Sequence, residues 1–203
     1  MEKDMNDTST KDEKARANKS DKRYEDELFH KLTLITNYRD KKQLFLILPE
    51  IRQFLKTSKS WNQVIGALIK VGERKSAYET LEKMRQAGCK PDVFSYNRLI
   101  TAFVRAGLLD KVEMLRSEMK KYGVKPDKAT YGTLIKAYIN NLEKVEEMYK
   151  EMEKNGVIPH VYIYATLMDA YDKVENIEKV EETFEDMVQG YETWLLVRQM
   201  KYK

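Results

Sequence analysis

The chain has 203 residues, a formal charge of +4, 42% apolar and 34% charged residues, and one cysteine, Cys89. The lone cysteine excludes an intramolecular disulfide and a cysteine-built zinc cluster, and the longest apolar run, Leu44–Pro49, is far too short to cross a bilayer. The mild charge excess permits nucleic-acid binding without arguing for it.

Residues 1–23 carry seven basic and six acidic residues and almost no large apolar ones, which predicts a disordered polar tail. It has no apolar centre for a secretory signal, and it is too acidic for a good organelle transit peptide. Asn6-Asp7-Thr8 and Asn18-Lys19-Ser20 match the glycosylation sequon, which without secretion is a chance match. Residues 24–57 read as helical. Leu28, Leu32 and Ile35 share a face, and Pro49 suits the first turn of a helix carrying Ile51, Phe54 and Leu55. This stretch is expected to be an N-terminal cap or a degenerate repeat.

From there the sequence recurs. Pro91-Asp92 returns as Pro126-Asp127 after 35 residues. Between the copies lie two amphipathic faces: Tyr96, Leu99, Ile100 and Phe103, then Val112, Leu115 and Met119. Gly107 can end the first helix in a left-handed turn, and Asp110 sits near the start of the second, where a carboxylate meets unpaired N–H groups. The first face has three other copies: Trp61, Val64, Ile65 and Leu68; Tyr131, Leu134, Ile135 and Tyr138; Tyr164, Leu167, Met168 and Tyr171. The second helices align Ala77, Val112, Val145 and Val180, then Met84, Met119, Met152 and Met187. Gly88, Gly123 and Gly156 recur, each three residues before Pro91, Pro126 or Pro159. The third copy is shorter by two residues, lost between its helices at Asn140-Asn141. One such hairpin cannot bury both faces, so the copies are expected to stack on one another.

A hairpin of this length that ends Gly-x-x-Pro-Asp and reopens with Ser95-Tyr96-Asn97-Arg98-Leu99-Ile100 or Thr130-Tyr131-Gly132-Thr133-Leu134-Ile135 resembles the pentatricopeptide repeat family. The resemblance implies an all-α fold, a right-handed α-α superhelix built as a solenoid of helical hairpins. On that frame the repeats fall at 58–92, 93–127, 128–160 (shortened) and 161–191, with 192–203 as a C-terminal helix or truncated repeat. The resemblance further implies single-stranded RNA as partner, one base per repeat, read by the fifth and last residues. Those are Asn62 with Asp92 and Asn97 with Asp127, a pairing that in the family favours uracil. Repeat three offers Gly132 and His160, and repeat four Ala165; neither Gly132 nor Ala165 can read a base edge. The second residues, which pack on bases in the family, are Lys59, Phe94, Ala129 and Tyr162. Lys70, Arg105 and Lys173 recur near the ends of first helices, with Asn140 in repeat three, and are the expected phosphate contacts.

Each of these residues has a plainer reading. A lone Asn at a helix start caps backbone N–H groups, but the paired recurrence with Asp92 and Asp127 favours base reading. Phe94 and Tyr162 read equally as packing between repeats. No His, Cys and carboxylate cluster has ligand spacing, and no phosphate-cradling glycine loop or triad occurs, so neither cofactor nor catalysis is expected. Four repeats contact few nucleotides, so high affinity calls for self-association as a homodimer or a protein partner. The alternative, a protein-binding scaffold of the tetratricopeptide type, fits the 35-residue period and the Pro-Asp joins less well. The family implies a mitochondrial or chloroplast location and a role in RNA processing, stability, splicing or translation.

Overall fold

A computed structural model describes residues 22–201, and among them it contains helices and no strand. In chain order these are α1 (22–37), α2 (Lys41–Ile51) with a 3-10 turn (Arg52–Phe54), α3 (Ser58–Lys70), α4 (Arg74–Gln86), α5 (Val93–Val104), α6 (Leu109–Lys121), α7 (Lys128–Ala137), α8 (Leu142–Lys154), α9 (Val161–Asp172) and α10 (Ile177–Lys201). The chain divides into two compact units between Leu99 and Ile100, inside α5.

In the first unit α3 packs on α4, and Tyr24 of α1 meets Phe54 edge-on at 6.0 Å and donates to Glu50 at 3.2 Å. In the second, α7 packs on α8, α9 lies against both, and α10 covers α9. The repeated faces form the core. Trp61, Val64, Ile65 and Leu68 are buried, as are Tyr96, Leu99, Ile100 and Phe103, and Tyr131, Leu134, Ile135 and Tyr138. Ala77, Met84, Val112, Leu115, Met119, Val145 and Met152 are buried from the second helices. Fully burying side chains of this size contributes roughly 1.5–3 kcal/mol each before the entropy of ordering them is counted.

The fourth hairpin differs from expectation. Ile163, Leu167, Ala170 and Tyr171 are buried, but Tyr164 and Met168 are half-buried, so the core face of α9 is turned by about one residue. Tyr164 instead meets Tyr149 edge-on at 6.5 Å. Val180 and Met187 are also only half-buried on α10. That helix runs unbroken from Ile177 to Lys201, with no break near residue 192.

Two corrections and one refinement concern the ends of helices. Pro49 lies in the last turn of α2, not the first turn of a helix. Asp40 starts α2 early by accepting the Gln43 N–H at 3.0 Å, and Pro49, lacking an N–H, ends it into the 3-10 turn. Asp110 lies in the first turn of α6 but does not cap it; the cap position is Leu108, which has no side-chain acceptor. The expected polar tail reached residue 23, whereas α1 begins at 22; residues 1–21 lie outside the described residues.

Turn chemistry repeats as strictly as the core. Gly72 and Gly107 end first helices with φ of 87° and 69°, where a Cβ would be strained. In the third hairpin the two-residue loss shortens α7 to 10 residues, and Asn141 caps α8 by accepting the Lys144 N–H at 3.1 Å. In the fourth, Glu175 occupies the glycine register with φ of 56°. An L-residue there costs about 1–2 kcal/mol. Glu175→Gly is therefore expected to stabilise the protein by about 0.5–1 kcal/mol, net of the entropy that glycine adds to the unfolded chain. A urea titration checks it by a higher midpoint at unchanged slope.

Candidate functional site

Each first helix starts from a side-chain cap at the same register. Thr57 accepts the Ser60 N–H, Asp92 the Ser95 N–H at 2.9 Å, Asp127 the Thr130 N–H at 2.8 Å, and His160 the Tyr162 N–H through Nδ1 at 3.4 Å. Ser95 and Thr130 return the bond, accepting the Asp92 and Asp127 N–H at 3.2 and 3.1 Å. These reciprocal boxes satisfy helix-end donors that would otherwise be orphaned. The two aspartates assigned to base reading are therefore also the residues that begin α5 and α7.

Asp92 does a second thing. Its Oδ1 also accepts from the Asn62 Nδ2 at 3.2 Å. Burial works against the charge on Asp92, but the Ser95 N–H and hydroxyl and the Asn62 amide outweigh it and hold the carboxyl below its ordinary range. An ionised carboxylate only accepts, so the Asn62 amide must turn its NH2 toward Asp92. Its Oδ1 is then directed elsewhere, buried and without a hydrogen-bond partner. Asn62 is 7% exposed, and a buried amide oxygen left unpaired is costly, so it marks a place where an outside donor is welcome.

Asn97 is half-buried on α5, and Asp127 is committed to the α7 cap. Phe94 is 61% exposed, with the Arg98 guanidinium 5.7 Å from its ring centre. Lys59 and Lys70 are exposed on α3. Lys173 is exposed just beyond α9 and lies 3.4 Å from Asp169.

Arg105 and Tyr162 come together. They line a cavity of about 780 Å³ in the second unit, with Ala129, Gly132 and His160 in its walls. Lys128 and Lys136, which sequence reasoning did not single out, complete it, and none of its lining residues is a carboxylate. The Lys136 Nζ lies 6.0 Å from the Tyr162 ring centre. Gly132 leaves the floor open: a Cβ there would only reach ordinary contact with Tyr162 and Ile163, at 3.9 and 4.0 Å. Lys136 stands one helical turn after Gly132, a spacing visible in the sequence. Cationic walls, an exposed aromatic face and a missing side chain suit an anionic, planar ligand. Among the described residues no cluster of His, Cys, Asp and Glu could hold a metal ion, and no helix is long and apolar enough to cross a membrane.

No curated protein matches the chain in sequence. The solved structures it resembles include the PPR domain of Arabidopsis thaliana protein-only RNase P 1 in complex with tRNA. That match has TM-score 0.66 and 15% identity, and covers 88% of this chain and 99% of the other. Pentatricopeptide repeat protein PPR10 in complex with an 18-nt psaJ RNA element matches with TM-score 0.63 and 21% identity, over 87% of this chain and 28% of that one. PPR10 from maize matches with TM-score 0.62 and 23% identity, over 85% and 25%. This chain thus spans only about a quarter of PPR10. Family models described as PPR repeat family match residues 56–103 and 91–140, PPR repeat matches 129–157, and Pentatricopeptide repeat domain matches 147–190. Together they run without a gap over the hairpins from α3 to α10, and the chain belongs to the pentatricopeptide repeat family.

Proposed function

We propose that the chain is a non-catalytic adaptor that binds single-stranded RNA, one base per repeat, with repeats at 58–92, 93–127, 128–160 and 161–191. Asn62 with Asp92 and Asn97 with Asp127 read uridine in the first two repeats. Lys59, Phe94 and Tyr162 pack on bases, and Lys70, Arg105 and Lys173 meet phosphates. The observation that carries this reading is the Asn62–Asp92 bond of 3.2 Å beside an unpaired Asn62 Oδ1. It leaves one acceptor and one remaining N–H in a fixed order, which matches the N3–H and O4 of uracil. The acid-free cavity at Gly132 supports a base seated by stacking and charge in repeat three. Two solved relatives of the same fold hold RNA, a tRNA and an 18-nt element, which supports the ligand class. We assign the adaptor to a mitochondrion or chloroplast, in RNA processing, stability, splicing or translation. Self-association or a protein partner supplies the affinity that four repeats lack.

The test is a titration of oligo-U, oligo-C and oligo-A at several salt concentrations. Oligo-U is expected to bind tightest. Three phosphate contacts predict a slope of log affinity against log salt of about −2, at roughly 0.7 per phosphate for single strands. Equal and salt-independent binding, or none, overturns the reading. A protein partner captured regardless of nuclease, with no RNA bound, points to the scaffold alternative.

A further inference from the structure

A second, smaller hollow opens in the first unit, between α1, α3 and the start of α5. It has a volume of about 130 Å³ and is lined in part by Thr33, Gln63, Gly66, Lys70 and Arg98. Its floor is Gly66, inside α3, where glycine is otherwise unfavourable by about 1 kcal/mol. The reason for that glycine is Arg98. A Cβ at position 66 would collide with the Arg98 Nη1 and stand 3.1 Å from its Cζ. The guanidinium occupies space that a side chain of residue 66 would take.

That guanidinium is short of partners. Its Nε is buried and has no acceptor. The Phe94 ring, 5.7 Å away, partly offsets the charge. Among the described residues neither Arg98 nor Lys70 has an ion-pair partner, and no carboxylate lines the hollow. The Thr33 and Thr36 hydroxyls donate to their own helix at 3.0 and 2.9 Å, which leaves the two cations facing the space. Leaving a buried guanidinium N–H without an acceptor is costly. An anion in the hollow removes that cost. The volume is well below the roughly 300–1,000 Å³ of sites for larger ligands, and fits one phosphate group rather than a nucleotide.

We propose that Arg98 and Lys70 clamp one phosphate group of the bound strand above Gly66, making Arg98 a phosphate ligand outside the repeat's reading positions. The proposal rests on the RNA-binding reading for its source of phosphate. An internal diester and a terminal monoester share this chemistry.

Four variants and one RNA-free arm test it. Arg98→Gln is expected to lower the salt slope by up to about 0.7, the share of the one phosphate it holds with Lys70, with unchanged preference among oligo-U, oligo-C and oligo-A. Gly66→Leu, which displaces the guanidinium without changing charge, is expected to give the same loss. Lys75→Gln, an exposed charge change on α4, is expected to leave the slope unchanged. Oligonucleotides with and without a 5′-phosphate separate the two phosphate sources. In the second arm inorganic phosphate is titrated against the protein while the Arg98 Nε–H resonance is followed. It is expected to shift in the native chain and not in Lys70→Gln. A slope unchanged in Arg98→Gln, an equal loss in Lys75→Gln, or no phosphate response overturns the clamp. A phosphate response in a protein that binds no RNA keeps the clamp and overturns the RNA reading.

Discussion

Tyr131→Ala is expected to lower the unfolding free energy by about 3–5 kcal/mol, the range for removing a large buried ring. The ring is 0% exposed in α7, and packing of α7 on α8 is the main contact of its hairpin. Its hydroxyl reaches the rim, where it donates to Glu151 at 3.2 Å and accepts from Asn155 at 2.6 Å. Tyr131→Phe keeps the ring and loses only these bonds, so about 0.5–1.5 kcal/mol is expected. The neighbouring Arg116 pairs with Glu113 on its own helix at 2.9 Å and ties α6 to α8 through Glu151 at 2.6 Å. Burial of its guanidinium opposes the charge, but the two glutamates outweigh that and strengthen it. The pH dependence has a definite sign. Burial, aided by Glu151, raises the Tyr131 hydroxyl above 10.0. A raised pKa in the folded state gives stability that is complete below the unfolded value and is lost as pH rises through the folded one. Native chain should therefore lose stability above pH 10 more steeply than Tyr131→Phe. Denaturant unfolding of the three proteins at pH 7 and at alkaline pH decides this, and a Tyr131→Ala cost under 1 kcal/mol would show that the hairpin does not depend on the ring.

The repeat was readable because it is written in residues whose physics is local. An aromatic, two aliphatics and a Met at helical spacing can serve one purpose, and the glycines at 88, 107, 123 and 156 all have positive φ. Reasoning went astray where one element's fate depended on another. Pro49 suits a first turn in isolation, but the Asp40 cap upstream had already begun the helix. Tyr164 repeats the register of Tyr96 and Tyr131, yet turns toward Tyr149. The site divides in the same way. Asn62 and Asp92 stand out by their recurrence, whereas the role of Asp92 as a helix cap appears only with the Ser95 bonds in view. Arg98 carries no pattern of its own. Its signal was a glycine inside the otherwise regular helix α3, whose reason is a side chain 32 residues away.

Because Asp92 caps α5 as well as holding the proposed reader Asn62, Asn62→Ala and Asp92→Thr are the most informative pair for binding. Asn62→Ala removes the reading amide and is expected to erase discrimination between uracil and cytosine at one position, roughly ten-fold given about 1–3 kcal/mol for a good paired contact. Asp92→Ala would confound the result, since losing a cap costs about 0.5–2 kcal/mol. Threonine avoids this, because Thr57 already caps α3 at the same register. Asp92→Thr should fold as the native chain does while freeing the Asn62 amide to turn over. With the order of donor and acceptor no longer fixed, either pyrimidine edge is matched, so discrimination falls while total affinity changes little. Acid should do the same reversibly. The Asp92 carboxyl, although opposed by burial, is held below 3.8 by Ser95 and Asn62. A lowered folded pKa gives stability that is present above the unfolded value and lost as pH falls through the folded one. The lock thus persists across the neutral range and yields only in acid, below the ordinary aspartate range. Fluorescence anisotropy with oligonucleotides differing at one pyrimidine, measured at pH 7 and on acidification, reads all three effects. Unchanged discrimination in Asn62→Ala would remove the amide from the reading role and leave Asp92 as a helix cap alone.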